Sequence, residues 1–179
     1  ALVPEDRRRQ GLVLAHSIQD NIELPILKRL GSTPFVDRFK SRTTTDELIK
    51  RLAIKTASRE AAANSLSGGN QQKVVIGKWL ATDPDILIMD EPTAGIDIGS
   101  KGEVLRLVRA LAAEGKSIIF ISSELAELVA VSDRIAVMSG GRLVETSEKA
   151  DLLTSTGEAT ELRAEQKLQL IVQRGGNHV

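Results

Sequence analysis

The sequence has no cysteine and no tyrosine, one tryptophan and three phenylalanines in 179 residues. A disulfide framework is excluded, a usage that suits a cytosolic protein. With aromatics at 2% the core has to be aliphatic. Charge of one sign is missing too, because 24 Lys and Arg balance 24 Asp and Glu. The basic residues are scattered, so the charged stripe of a nucleic-acid binder is absent and no nucleic-acid partner is expected. Arg7, Arg8 and Arg9 read as a solvated loop. No apolar run approaches the roughly 18 residues needed to cross a bilayer, and no basic-then-apolar signal segment opens the chain. A role at a membrane would run through a partner. The length allows one domain with a good core, two at most.

Two stretches organise what is present. Leu66-Ser67-Gly68-Gly69-Asn70-Gln71-Gln72-Lys73 stands directly ahead of a helical pattern over 71–80. Ser67 to Asn70 would then lie at a helix N-terminus, where unpaired N–H groups and the helix dipole favour an anion, with phosphate the obvious candidate. One helix later, Ile86-Leu87-Ile88-Met89 reads as a buried strand, apolar without alternation, that ends in Asp90 and Glu91. Open parallel sheets bind ligands at the carboxyl ends of their strands. Adjacent carboxylates there are costly unless a cation or solvent is near.

The remaining chain gives an α/β order. Ala1-Leu2-Val3 reads as the end of a strand already under way, closed by Pro4, so the chain is expected to begin inside a domain. Ser17-Ile18-Gln19-Asp20 fits a capping box, and Pro25 stops the short helix near Leu24. Over 34–63, Leu48, Leu52 and Ile54 recur at partly helical spacing, as a small helical insertion or equally a solvated amphipathic pair. In the helix over 71–80, Val74, Val75, Lys78 and Trp79 would bury one face, with Trp79 in the core and Lys73 outside. Asp83-Pro84 ends that helix. A helix over 100–113 carries the stripe Val104, Leu105, Val108 and Leu111, capped by Gly115 with Lys116 complementing its dipole. A second buried strand over 117–122 follows, then a short helix over 124–130, and strands over 134–138 and 142–146 joined at Gly140-Gly141. The tail is helical over 161–172, with a ragged stripe of Leu162, Leu168, Leu170 and Ile171, and frays at Gly175-Gly176.

In this order the motifs LSGGNQQK and DEPTAGID resemble the signature motif and Walker B strand of ABC-type ATPases, most closely the ATP-binding subunits of bacterial sugar importers. Val3-Pro4-Glu5-Asp6-Arg7 is similar to the second nucleotide-binding half of those subunits. The resemblance implies a P-loop NTPase-like α/β core, a parallel sheet flanked by helices, that is N-terminally incomplete. A partial ATP-binding domain over 1–146 would include a helical subdomain over about 12–82 that carries the signature motif, and 147–179 would form a helical tail. ATP and Mg²⁺ are the implied ligands. Ser67, Gly68, Gly69, Asn70 and Gln71 would bind nucleotide; Asp90 would hold Mg²⁺ through water, and Glu91 would orient or deprotonate the attacking water. Asp97 corresponds to the D-loop aspartate, although on its own it could equally be an N-cap.

Two positions depart from the family pattern. Glu5 stands where a Q-loop glutamine is expected, unless Pro4-Glu5-Asp6 is only a surface turn, and Ser123 stands where a histidine would contact the γ-phosphate. Serine donates a hydrogen bond but carries no proton or charge near neutral pH. The phosphate loop G-x-x-x-x-G-K-[ST] does not occur; the string ending Gly115-Lys116-Ser117 follows a helix and precedes a strand, the wrong context. The family's loop would lie upstream of Ala1. The implied partners are a second ABC nucleotide-binding domain, head-to-tail in cis or in trans, transmembrane permease subunits, and indirectly a sugar-binding protein, at the cytoplasmic face of the inner membrane. The alternatives are a non-hydrolysing regulatory half and a soluble ABC ATPase unconnected with transport.

Overall fold

The computed structural model describes residues 1–31, 36–152 and 160–176. The chain divides into two compact units, Ala1–Ile121 and Ser122–Val179.

In the first unit β1 (Leu2–Val3), β2 (Ile86–Asp90) and β3 (Ser117–Ile121) form a parallel sheet in that order. Val3 stands opposite Met89, and Asp90 opposite Ile121. Residues just beyond the strand ends, Glu5 after β1 and Glu91 after β2, therefore follow from the same carboxyl edge. The expectation of strands buried without alternation is corrected. Leu87 and Met89 are buried, but Ile86 is 52% exposed, and Ile119 and Ile121 on β3 are 52% and 46% exposed. An unbroken apolar run allows burial on both faces; burial itself depends on what packs there.

Among the described residues the unit also has the α-helices α1 (Ile18–Glu23), α2 (Arg38–Arg51), α3 (Gly68–Leu80) and α4 (Ile98–Ala113). The capping box at α1 forms as expected, with Ser17 Oγ accepting from Asp20 N–H and Asp20 Oδ2 from Ser17 N–H. As expected, α1 ends ahead of Pro25, with Leu24 as its C-cap, and a 3-10 turn follows over Leu24–Arg29. The insertion is helical, since Asp37 caps α2 by accepting from the Phe39 and Lys40 N–H groups. The chain before α1 is clamped to the segment before α3, with Ile18 N–H donating to Ala61 O and Ala63 N–H to His16 O.

The centre of this unit is α3, which packs on α1, α2, α4 and β1. Every residue from Gln71 to Gly77 is buried, as a helix surrounded on all sides must be. The expected single buried face, with Lys73 outside, is therefore wrong. Lys73 is 3% exposed, and its ammonium donates to Ala53 O at 3.0 Å and Glu103 Oε2 at 2.7 Å. Trp79 is half-buried rather than core. On α4, Val104, Val108 and Leu111 form the buried stripe. The Gly115 and Lys116 N–H groups close its end on Ala112 O and Leu111 O. The Lys116 ammonium serves Asp83 at 2.6 Å, an ion pair with another loop rather than a charge held only for the helix dipole.

In the second unit α5 (Leu125–Val131) is followed by the antiparallel pair β4 (Arg134–Ser139) and β5 (Arg142–Glu148), then α6 (Lys149–Leu152) and α7 (Thr160–Gly176). Val129, Ile135, Val137, Leu152, Ala164 and Leu168 form its core. Leu170, expected in the buried stripe of α7, is 54% exposed, because the spacing that faces this core is Ala164, Leu168, Ile171. The helix runs beyond Val172, where the apolar pattern ends, to Gly176.

Candidate functional site

The LSGG stretch is a helix N-terminus that begins earlier than the apolar pattern suggests. Ser67 has extended backbone angles (φ −62°, ψ 159°) and is the N-cap of α3, but its side chain makes no cap bond. The N–H groups of the first turn lack intrahelical acceptors by construction. Gly68 and Gly69 have a reason of their own to be glycine. A Cβ on Gly68 would lie 2.9 Å from Arg7 Nη2 and 3.1 Å from Ile96 Cγ2, and one on Gly69 would overlap the Ser100 side chain. The start of α3 is thus pressed against the turn that leads into α4. Asn70 Nδ2 donates to Ser67 Oγ at 2.9 Å. The Gln71 side chain turns inward, 1% exposed, and donates to Ala63 O and Leu66 O, both at 3.2 Å. Asn70 and Gln71 hold a loop in which Ser67 is exposed, Gly68 half-buried and Gly69 buried.

The second part of the site lies at the carboxyl edge of the sheet. Asp90 and Glu91 are both half-buried. Glu91 adopts φ +41°, a left-handed conformation for a side chain that disfavours it. Its N–H donates to Ile121 O at 2.9 Å, and its carbonyl accepts from Ala94 N–H at 3.0 Å. Such strain, about 1–3 kcal/mol, persists only where neighbouring structure imposes it and is concentrated at functional positions. Among the described residues no group of three or more His, Asp or Glu could hold a metal by itself. One or two carboxylates do suit a Mg²⁺ ion that takes its other ligands from phosphate and water.

The expectation of a solvated Arg7-Arg8-Arg9 loop is corrected at Arg7, which is half-buried, while Arg8 and Arg9 are exposed as expected. Asp6 caps a π-helical turn over Arg7–Gly11 by accepting from the Arg8 and Arg9 N–H groups. The Arg7 guanidinium then reaches Ala94 O at 2.7 Å and Gly95 O at 3.0 Å. Burial, ahead of the neighbouring Arg8 charge, draws its pKa below the ordinary arginine value. These partners are separated by 87 and 88 residues, so no local pattern could have paired them. Asp97 is the N-cap of α4 and accepts from Ser100 N–H at 2.9 Å. The bonds from Ser100 hold its carboxyl below the usual aspartate range.

Ser67 to Gln71, Asp90, Glu91, Asp97 and Glu5 all belong to the first unit, and Glu5 is exposed. Ser123 belongs to the second. It is exposed, in the turn ahead of α5, where Ser122 Oγ donates to the buried Glu127 carboxylate at 2.9 Å and accepts from Glu124 N–H at 3.1 Å. His16 is exposed, and His178 lies outside the described residues.

Comparison with known proteins matches residues 2–94 to the family described as ABC transporter. The ribose import ATP-binding protein RbsA of Rhodopirellula baltica is 47% identical over 151 residues, covering 84% of this chain and 30% of that protein. RbsA of Halalkalibacterium halodurans is 45% identical, over 86% of this chain and 31% of that protein. A putative ribose/galactose/methyl galactoside import ATP-binding protein of Rhizobium etli is 44% identical over 99% of this chain and 32% of its own. The chain thus spans about a third of the length of these relatives. Among solved structures, the dimeric ATP-binding cassette MJ0796 in a post-hydrolysis state with ADP and Pi superposes with a TM-score of 0.68 at 23% identity, over 83% of this chain and 62% of that one. That likeness shows the fold: an α/β ABC ATPase architecture with its parallel sheet.

Proposed function

The chain belongs to the ABC transporter family, and from that premise we propose that it acts within an ATP-binding subunit that energises import of a ribose- or galactose-class monosaccharide through a membrane permease. Residues 1–146 form part of the ATP-binding domain, with the helical subdomain over about 12–82, and 147–179 form the tail. Among the described residues no helix is long and apolar enough to cross a membrane. In the proposed assembly, attachment at the cytoplasmic face runs through the permease. The names of the relatives support the sugar class, and the observation that carries the ATPase reading is Glu91, held in a left-handed conformation beside Asp90 at the carboxyl edge of a parallel sheet.

In this reading two such domains meet head-to-tail with ATP between them. Ser67 and the N–H groups of Gly68, Gly69 and Asn70 donate to phosphate across the interface, where a helix N-terminus favours negative charge. Gln71 acts by holding the loop. Asp90 holds Mg²⁺ through water, and the ion, when bound, offsets phosphate charge. Glu91 orients the attacking water, and Asp97 fixes the turn that faces the second domain. Glu5 and Ser123 replace groups that elsewhere in the family face the γ-phosphate. Their presence favours an asymmetric pair, in which this chain's LSGG completes the competent site and its own carboxylate edge forms the weaker one.

The test compares Ser67→Arg with Glu91→Gln in the full-length subunit assembled with its permease. Ser67→Arg places a bulky cation among the phosphate-binding N–H groups and is expected to lower ATP turnover by about 10²-fold or more. Glu91→Gln is expected to lower it less. Full turnover in Ser67→Arg would overturn the reading, and equal losses in both variants would replace asymmetry with two working sites.

A further inference from the structure

We infer that Asn70 is a positioning residue that sets the direction of the Ser67 hydroxyl proton and ties it to the segment between α2 and α3. The amide's orientation is fixed by chemistry. Lys55 N–H donates to Asn70 Oδ1 at 2.8 Å, and a backbone N–H can only donate, so the oxygen of the amide must face Lys55. Its NH₂ group is left facing Ser67 and donates to Oγ at 2.9 Å. A serine hydroxyl has one proton and two lone pairs. With a lone pair committed to Asn70, the proton has to point elsewhere. Capping does not use the hydroxyl either, since Ser67 makes no side-chain cap bond. Ser67 is exposed, so it presents a donor to its surroundings, the polarity a phosphate oxygen requires.

The segment on the other side of Asn70 is itself held. Lys73 donates to Ala53 O and to Glu103 Oε2, and the Lys55 ammonium reaches Glu103 Oε1 at 3.3 Å. Residues 53–55 are thereby bound to both α3 and α4. A shift of α2 relative to α4 reaches the Ser67 proton through a single amide. This inference rests on the phosphate-binding role proposed for Ser67 and adds a side chain, the Asn70 amide, that acts through that hydroxyl; the Asn70 backbone N–H keeps the role proposed above.

Asn70→Asp separates the two functions. One carboxylate oxygen still accepts from Lys55 N–H. The other is now an acceptor facing Ser67, which draws the serine proton inward and turns lone pairs toward the phosphate. In the full-length subunit assembled with its permease, Asn70→Asp is expected to lower kcat for ATP about tenfold or more, while hydrogen exchange at the Lys55 amide stays as slow as in the parent. Asn70→Ala is expected to speed that exchange and to lower kcat in the parent background. In a Ser67→Ala background the same change should alter kcat by less than about twofold, because residues that act through one another are not additive. Independent, multiplicative losses would make the Asn70 side chain itself a nucleotide contact and overturn the inference. Full activity in Asn70→Asp, or a Lys55 amide that exchanges freely in the parent, would also overturn it. Absence of turnover in the unsubstituted complex would instead overturn the functional reading on which the inference rests.

Discussion

Gly69 carries two demands that the sequence presents as one. Glycine in LSGG suggests close approach of a ligand to the backbone, and in the structure the space a Cβ would need is filled by Ser100 at the start of α4. Gly69→Ala is therefore expected to destabilise the first unit by about 1–3 kcal/mol, the range for overpacking, before any nucleotide is involved. Ser100→Gly removes the obstructing atoms and should restore most of that loss, less the helix cost of glycine, about 1 kcal/mol. Trp79, the only tryptophan, lies in this unit, so its fluorescence during denaturation reads both variants. A Gly69→Ala variant as stable as the parent, or one that Ser100→Gly fails to rescue, would remove packing as the reason for this glycine.

Among the elements, α3 is joined to its neighbours by polar groups as well as by apolar packing. Lys73 connects it to the end of the α2 segment and to α4, and hydrogen bonds from Lys73 and then Lys55 hold the Glu103 carboxyl below the usual glutamate range. Breaking a fully buried pair costs about 3–5 kcal/mol. The Glu103 side chain is 33% exposed and Ala53 is exposed, so water can serve both partners and Lys73→Met is expected to cost less than that. The pH dependence has a definite sign. A carboxylate with a lowered folded pKa contributes stability that is fully present above its ordinary pKa of about 4.3 and is lost as pH falls through the folded value. The stability difference between parent and Lys73→Met should accordingly shrink below about pH 4. Denaturation curves at pH 7 and pH 3.5 check this, and a difference that does not change with pH would remove Glu103 from the account.

For the molecule as a whole, the 179 residues contain a helix N-terminus and a carboxylate edge but no phosphate loop. Carboxylates alone cannot hold a nucleotide in a reactive geometry. The isolated chain is therefore expected to release no phosphate from Mg-ATP above background. Turnover that Glu91→Gln abolishes would mean that some other part of the chain cradles the phosphates.

The motif order, the parallel α/β layering, both ends of β2 and the last residue of α4 were legible in the sequence, because each rests on local rules of hydrophobic period and of a terminating proline or glycine; α4 begins at Ile98, two residues before the expected start, and α5 spans Leu125–Val131, one residue later than expected. The place of Ser67 to Gln71 at the start of a helix and of Asp90 and Glu91 at the end of a strand was legible too, since each stretch is contiguous in the chain. The burial of Lys73, the hold of Arg7 on Ala94 and Gly95, the overlap that keeps Gly69 a glycine and the open face of Ile86, Ile119 and Ile121 were decided only by the tertiary structure. Each depends on which surfaces meet across dozens of residues, and hydrophobic periodicity records that a face is apolar without recording what covers it. A lysine inside a helix pattern reads as solvated until another helix brings a carboxylate and a free carbonyl to it.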